Sequence, residues 1–472
     1  MRLTHKLLFI ITIVLLVTGC DPGDPVKNDP LIFDSEYNRC EGCHLSESVL
    51  KEFASDTLPN NVEGLTSYTG DIEPMERWQK VYIELTGTQK SFRDIDPVHE
   101  GIGCANCHGG QDPGSFDVAH DTTFGFVRDP SIMSEQNCNP CHEQIVSTNT
   151  NSMHTKAWGQ RTAITQRELG ADKNHQNFDE CPVELTDGYD KECSSCHATC
   201  GQCHISRPNV ADGGLTNNHK FMKPPNQEET CMICHARTIG TDLKGSISGN
   251  IPDVHYAGGK QCIDCHQENF HADASQYEDR YHIPDLPECT DCHTAQSVPG
   301  QTNLYHTMHW PDVGSGLACQ VCHSQPYNNC NNCHTNGAWQ QGLNEYTEYP
   351  EFRIGLNIDE ELHMGKWVVV RHAPVSSSTF EPSGHTAFSN FDSRPNWEYS
   401  SPHNIIRTAS QTNVGGEGYC NSKCHVSGAN ADTNKDLFLW QSFVNSDYSE
   451  EAIANEGVAI DSSDLPSGWE GY

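Results

Sequence analysis

Twenty-two of the 24 cysteines stand in pairs that are followed at once by a histidine. Ten of these read Cys-x-x-Cys-His: Cys40/Cys43/His44, Cys104/Cys107/His108, Cys138/Cys141/His142, Cys193/Cys196/His197, Cys200/Cys203/His204, Cys231/Cys234/His235, Cys262/Cys265/His266, Cys289/Cys292/His293, Cys319/Cys322/His323 and Cys330/Cys333/His334. The eleventh, Cys420/Cys424/His425, is longer by one residue. Two thiols on one side of a short turn can add across the two vinyl groups of a porphyrin. The adjacent imidazole then lies beneath the ring as the proximal iron ligand. The spacing therefore specifies covalent haem c, about eleven groups in all. A zinc site also uses Cys-x-x-Cys, but it needs four ligands and no histidine after each second cysteine. A secreted disulfide scaffold predicts an even cysteine count and nothing about histidine. Neither accounts for histidine after all eleven pairs.

Of the 26 histidines, eleven are proximal and His5 lies in the N-terminal leader. The fourteen others are His99, His120, His154, His175, His219, His255, His271, His282, His306, His309, His363, His372, His385 and His403. They suffice for full bis-histidine ligation, and about ten are expected to serve as sixth ligands. A six-coordinate iron has no open position, so it passes electrons without binding a substrate. Methionine ligation raises a haem potential relative to histidine. With 8 methionines, Met1 among them, bis-histidine ligation should dominate and potentials should be low.

Composition leads the same way. Only 35% of residues are hydrophobic, and the chain carries 38 Gly and 25 Pro. That is thin material for an ordinary core of this size, so macrocycles must supply the missing apolar surface. Arg2 and Lys6 precede an apolar run from Leu7 to Val17, too short to span a bilayer as a mature helix. The run ends in Leu16-Val17-Thr18-Gly19-Cys20, which is similar to a bacterial lipobox. Cleavage before Cys20 and acylation of its thiol would anchor the protein to a membrane face; the alternative is an ordinary signal peptide. The formal charge is −35, and loss of the leader makes it more acidic still. Nucleic acid is excluded as a partner. A cationic redox partner or a positively charged mineral surface suits this field, as does solubility alone.

Haem spacing divides the chain into the leader (1–19), an N-terminal domain with three haems (20–190), a dense seven-haem domain (191–334) and a C-terminal cap with one haem (335–472). Helices are expected from Asp71 to Ser91 and from Ser134 to Leu169, and a strand from Lys366 to Arg371. The Cys193 and Cys200 motifs are two residues apart. Cys231, Cys262, Cys289 and Cys319 open a quasi-repeat, in which His255 and His282 each begin a His-x6-Cys-x-x-Cys-His unit. His363, His372, His385 and His403 in the cap are expected to return to haems elsewhere. Cys181 has no assigned role: it is a buried or free thiol, or else a reactive one. Asp432-x-Asn434-x-Asp436 faintly resembles a calcium loop without its glycine.

From Cys40 to His425 the motifs, with the lipobox and the histidine surplus, resemble the bacterial multihaem c-type cytochromes of periplasmic and extracellular respiration. The resemblance implies a mainly α, haem-wrapped fold with long irregular loops and little β-sheet. It implies electron transfer rather than catalysis. Partners would be other cytochromes, quinol-oxidising complexes or extracellular acceptors, met in the periplasm or at the outer membrane. Two alternatives stand beside this conduit. One is a reductase of a small sulfur or nitrogen oxyanion, similar to octahaem tetrathionate reductase or to the nitrite- and hydroxylamine-converting cytochromes. It would use one open haem, sought near the Cys193/Cys200 pair, Cys181 and Asp172 to Glu192. The other is a filament-forming homo-oligomer.

Overall fold

A computed structural model of the chain describes residues 102–111, 119–194, 197–208, 219–267, 269–284, 286–293, 304–310, 316–329, 350–359, 362–373, 375–409, 437–461 and 463–465, with residues 40, 44, 48, 98, 99, 215 and 424 singly. The leader, Cys20, Cys43, the Asp71–Ser91 helix, Cys196, Cys330, Cys333, His334, Cys420, His425 and the Asp432–Asp436 segment lie outside the described residues.

The stretch expected to be one helical run from Ser134 to Leu169 is four helices: α1 (Ser134–Asn137), α2 (Asn139–Asn149), α3 (Met153–Lys156) and α4 (Trp158–Leu169). The breaks have local causes. Pro140 opens α2, and His142 of the third motif departs from helical geometry inside it. The Ser152 side chain caps α3 by accepting from Thr155 N–H. Ala157 then adopts a left-handed conformation at φ 47° between α3 and α4. Such a residue is uncommon without glycine, and it turns α4 away from α3.

Helix α4 packs with α5 (Val183–Glu192) and with the segment around Phe380 and Phe388. Their apolar cluster joins Ile164, Phe178, Cys181, Leu185, Tyr189, Cys193, Phe380 and Phe388. Side chains from all three sequence-defined regions meet in this cluster, so its core crosses the boundaries that haem spacing marks. Cys181 is buried in it, and burial pushes its thiol up to about 11. It is a packed thiol, poorly suited to nucleophilic chemistry.

The second core is built on a sheet. Strands β3 (Arg353–Leu356), β4 (Trp367–His372) and β5 (Trp397–Tyr399) pair antiparallel with β4 in the middle. Strands β1 (Tyr327–Asn328) and β2 (Pro350–Glu351) form a separate pair. Strand β4 contains three consecutive valines, all buried, which suits a strand covered on both faces. It packs with Trp397, Phe438, Leu439, Val444 and Ile460. Gly355 permits the close pairing of β3 with β4, since a Cβ there would meet Val370 Cγ1 at 2.8 Å.

Candidate haem sites

Five attachment motifs fold as single helical turns, at Cys104–His108, Cys200–His204, Cys262–Cys265, Cys289–Cys292 and Cys319–His323. One turn brings the two thiols to the same side, as thioether attachment requires. Small hydrogen bonds close these turns. Asp264 Oδ2 accepts from Gln261 N–H at 2.9 Å, and Asp291 Oδ2 accepts from Glu288 N–H at 2.8 Å. Both aspartates occupy the same place in their motifs, so the cap repeats with the haem unit.

Two motifs depart from the single turn that their spacing leads one to expect. Cys138 stands at the junction of α1 and α2, while Cys141 lies inside α2. Pro140 between them starts a new helix, so the pair straddles a helix boundary. Cys231 closes a widened turn at Gln227–Cys231, and Cys234 ends the short helix Met232–Cys234 that follows.

The thiols also differ in exposure. Cys141, Cys234, Cys265 and Cys292 are exposed; Cys107, Cys203, Cys322 and, in the longer motif, Cys424 are half-buried. A thiol packed in an ordinary protein core would be buried, as Cys181 is. Among the described attachment cysteines only Cys193 is buried to that degree. The second cysteines are therefore not sealed in by polypeptide, and a vinyl group can reach them.

Seven proximal histidines face seven of the expected sixth ligands. The ring centroids of His44 and His120 lie 5.8 Å apart, His108 and His219 6.2 Å, and His142 and His99 6.2 Å. His204 and His271 lie 6.0 Å apart, His266 and His403 6.3 Å, His293 and His255 6.0 Å, and His323 and His306 6.1 Å. Aromatic pairs commonly lie about 4.5–7 Å apart; what singles out these seven is that each joins an expected proximal histidine to an expected sixth ligand. Two metal–imidazole bonds of about 2.0 Å, plus two nitrogen-to-centroid distances of about 1.2 Å, give about 6.4 Å. The residues present therefore fit a bis-histidine iron between each pair. His235 has His154 as the largest electrostatic influence upon it after burial.

In four of these histidines the other ring nitrogen is held as in metal ligands. His108 Nδ1 lies 3.0 Å from Val127 O, His204 Nδ1 2.7 Å from Met222 O, and His323 Nδ1 3.2 Å from Ile406 O. On the opposite side, His255 Nδ1 contacts Asp253 Oδ1 at 3.2 Å. An Nδ1–H donated in this way leaves Nε2 for iron and orients the ring. Gly109 and Gly110 serve the same purpose after His108. A Cβ at Gly110 would run into Ala119 O, so glycine there lets the His120 segment fold back.

Burial pushes His44, His219, His235 and His403 down to about 4. These rings stay neutral in the fold, while the unfolded chain takes up protons below about pH 6.5. In the haem-loaded protein these rings would also be held neutral by iron, so stability is expected to fall as pH drops below about 6.5, where unfolding frees them to take up protons, with a limit of about 1.4 kcal/mol per pH unit for each ring. Denaturant midpoints measured across this range check it; a flat profile would contradict ring neutrality as a source of stability.

The thiols set the order of the sites. Cys138 lies close to Cys200, Cys231 to Cys262, and Cys289 to Cys319. Between these pairs, Cys107 lies within electrostatic reach of Cys138, Cys203 of Cys231, and Cys292 of Cys265. His44 lies within reach of His108. The sites opening at Cys40, Cys104, Cys138, Cys200, Cys231, Cys262, Cys289 and Cys319 thus follow one another in a continuous series. The Cys193 motif touches the segment of His154, since Ala198, next to His197, donates its N–H to His154 O at 2.9 Å.

Other expected ligands are placed differently. His175 is buried, with Nδ1 3.2 Å from Thr162 Oγ1 and Nε2 2.9 Å from Ser275 O. His372 Nε2 pairs with Glu451 at 2.8 Å inside the sheet core, and His385 Nε2 lies 3.1 Å from Glu168. These three are engaged with protein groups rather than facing a described proximal histidine. His282 Nδ1 contacts Asp279 at 3.0 Å, and His309 Nδ1 contacts Tyr305 O at 2.8 Å. His363 stacks on Tyr399 at 4.1 Å, and neither of its buried nitrogens has a hydrogen-bond partner. Sequence reasoning did not single out Asp253, Asp279, Tyr189 or Arg161. An aspartate two or three residues before His255 and His282 was the available signal for the first two.

Among the described residues no three His, Cys, Asp or Glu side chains gather as a bare-metal site, and no helix is long and apolar enough to cross a membrane. No protein-family model, curated protein or solved structure matches the chain significantly.

Proposed function

We propose that the chain is a multihaem c-type cytochrome that conducts electrons through a series of mainly bis-histidine haems. The observation that carries this reading is the seven facing histidine pairs, all at the separation that an intervening iron requires. The closeness of cysteines from successive motifs supports it, because haems attached through neighbouring cysteines would approach edge to edge. Haem when bound supplies the one-electron chemistry; the protein supplies attachment, axial ligands and order. The acidic surface suits a cationic partner, and the Cys20 lipobox suits a membrane-anchored place in the periplasm or at the outer membrane.

The mature protein, made in cells able to attach haem c, is expected to exceed its polypeptide mass by eleven increments of about 0.6 kDa. Intact-protein mass spectrometry reads this directly. A colourless protein at polypeptide mass would end the proposal.

A further inference from the structure

We propose that Asp253 holds the haem between His255 and His293 at a lower potential than the haems before and after it in the series, so that this site is a step dividing the conduit into two electron pools. The inference rests on the reading that these histidines ligate haem, and it adds an energy profile to the order of the sites.

Asp253 is 2% exposed. Its Oδ1 contacts His255 Nδ1 at 3.2 Å and accepts from the N–H groups of His255 at 2.7 Å and of Tyr256 at 3.1 Å. Its Oδ2 accepts from Ile405 N–H at 2.7 Å. None of these donors belongs to a lysine or an arginine, so no fixed cation offsets this carboxylate among the described residues. Two other buried carboxylates beside ligand candidates are offset. Asp242 pairs with Arg371 at 2.7 Å. Asp279, which contacts His282 at 3.0 Å, pairs with Arg394 at 3.3 Å. At the Cys104, Cys200 and Cys319 sites, Nδ1 of the proximal histidine faces a neutral backbone carbonyl.

A reduced haem carries one electron more than an oxidised one. A buried carboxylate without a counter-charge opposes that electron, and it does so more strongly in the interior than in water. An Nδ1–H donated to a carboxylate also lends the ring anionic character, which makes it a stronger donor to ferric iron. Both effects favour the oxidised state and lower the potential. A carbonyl oxygen has no net charge and does less. The field of Asp253 also reaches one neighbour, since His403 and Cys265 lie within its electrostatic reach. The His266 haem therefore takes a smaller share of the same effect. Electrons coming from the Cys231 side climb to the Cys289 site and descend again to the Cys319 site.

The test is a potentiometric titration of the full-length, haem-loaded protein, followed by absorption and electron paramagnetic resonance. Asp253→Asn is expected to move one component upward from the negative end of the titration. The oxidised-to-reduced ratio of that haem should change about tenfold at fixed potential, about 59 mV for one electron, with a smaller shift in a second component. Asparagine keeps the Oδ1 acceptor, so His255 stays placed and the haem stays low-spin. Asp264→Asn removes an exposed carboxylate from the neighbouring motif and should move neither component. His255→Met identifies the haem: the component it displaces should be the one that Asp253→Asn moves. The wild-type position of that component should be the negative end, a reading that does not depend on Asp253→Asn folding. An unmoved titration in a low-spin Asp253→Asn protein would overturn the proposal and leave the conduit standing. So would a His255 component in the upper half of the wild-type titration. A protein without covalent haem would remove both readings.

Discussion

Replacing His403 by methionine is expected to raise the potential of one haem by on the order of 0.1 V and leave the others nearly unchanged. His403 faces His266 with ring planes 15° apart, and it is the sixth-ligand candidate for that site. Its place on the chain is fixed by hydrogen bonds rather than by secondary structure. Its own N–H donates to Asp242 Oδ2 at 3.3 Å. Asn404 Nδ2 donates to Gln325 O at 2.8 Å, and Ile405 N–H donates to Asp253 Oδ2 at 2.7 Å. The other Asp253 oxygen contacts His255, the ligand candidate facing His293. One buried carboxylate therefore sets two sixth ligands on neighbouring sites. Methionine can reach the same iron from the same loop, but its thioether is a weaker donor to ferric iron, which favours the reduced state. Potentiometric titration followed in the haem absorption bands resolves the change. His403→Ala should instead leave one high-spin haem. An unchanged titration in both variants would show that another residue ligates the His266 haem.

Arg371→Met is expected to cost about 3–5 kcal/mol of stability. Arg371 lies on β4, and its Nη2 donates to Asp242 Oδ2 at 2.7 Å. Asp242 has no solvent exposure, so removing the guanidinium strands a carboxylate in the interior. Burial already pulls the Asp242 carboxyl above its usual range, with Arg371 opposing that shift. Without Arg371 it rises further. A carboxyl whose folded value exceeds its unfolded one disfavours folding at high pH, and the loss is recovered as pH falls through the folded value. The variant should thus be weakest at neutral pH and regain stability on acidification, opposite in sign to the buried histidines. Asp242→Asn in the Arg371→Met background should restore much of the loss by removing the stranded charge. Because Asp242 also holds the His403 backbone, the single variant should broaden the low-spin signal of the His266 haem. Denaturant midpoints of the three proteins decide the matter, and equal values would show the pair to be energetically idle.

The secondary structure was legible where it has a strong local cause. The valines of β4 mark a strand in the sequence and form one. Strands β3 and β5 were not marked, because Arg353–Leu356 has no alternation and includes Gly355, whose role appears only when Val370 is packed against it. The helical stretch from Ser134 to Leu169 reads as continuous, but the chain breaks it at Pro140, at the Ser152 cap and at the left-handed Ala157. The same holds for the sites. His175 and His403 look alike in sequence, yet the first satisfies both nitrogens with Thr162 and Ser275 while the second faces another imidazole.

The sequence by itself marks where the proposed haems would be attached and which histidine would be proximal, because thioether chemistry needs cysteines and histidine close together along the chain. Only the tertiary structure decided which histidine faces which, in what order the thiols meet, and that His197 faces a phenol. Those partners come from distant segments, brought together by packing and by buried carboxylates such as Asp253 and Asp242. No local spacing rule can encode a contact whose two ends are joined only by the fold.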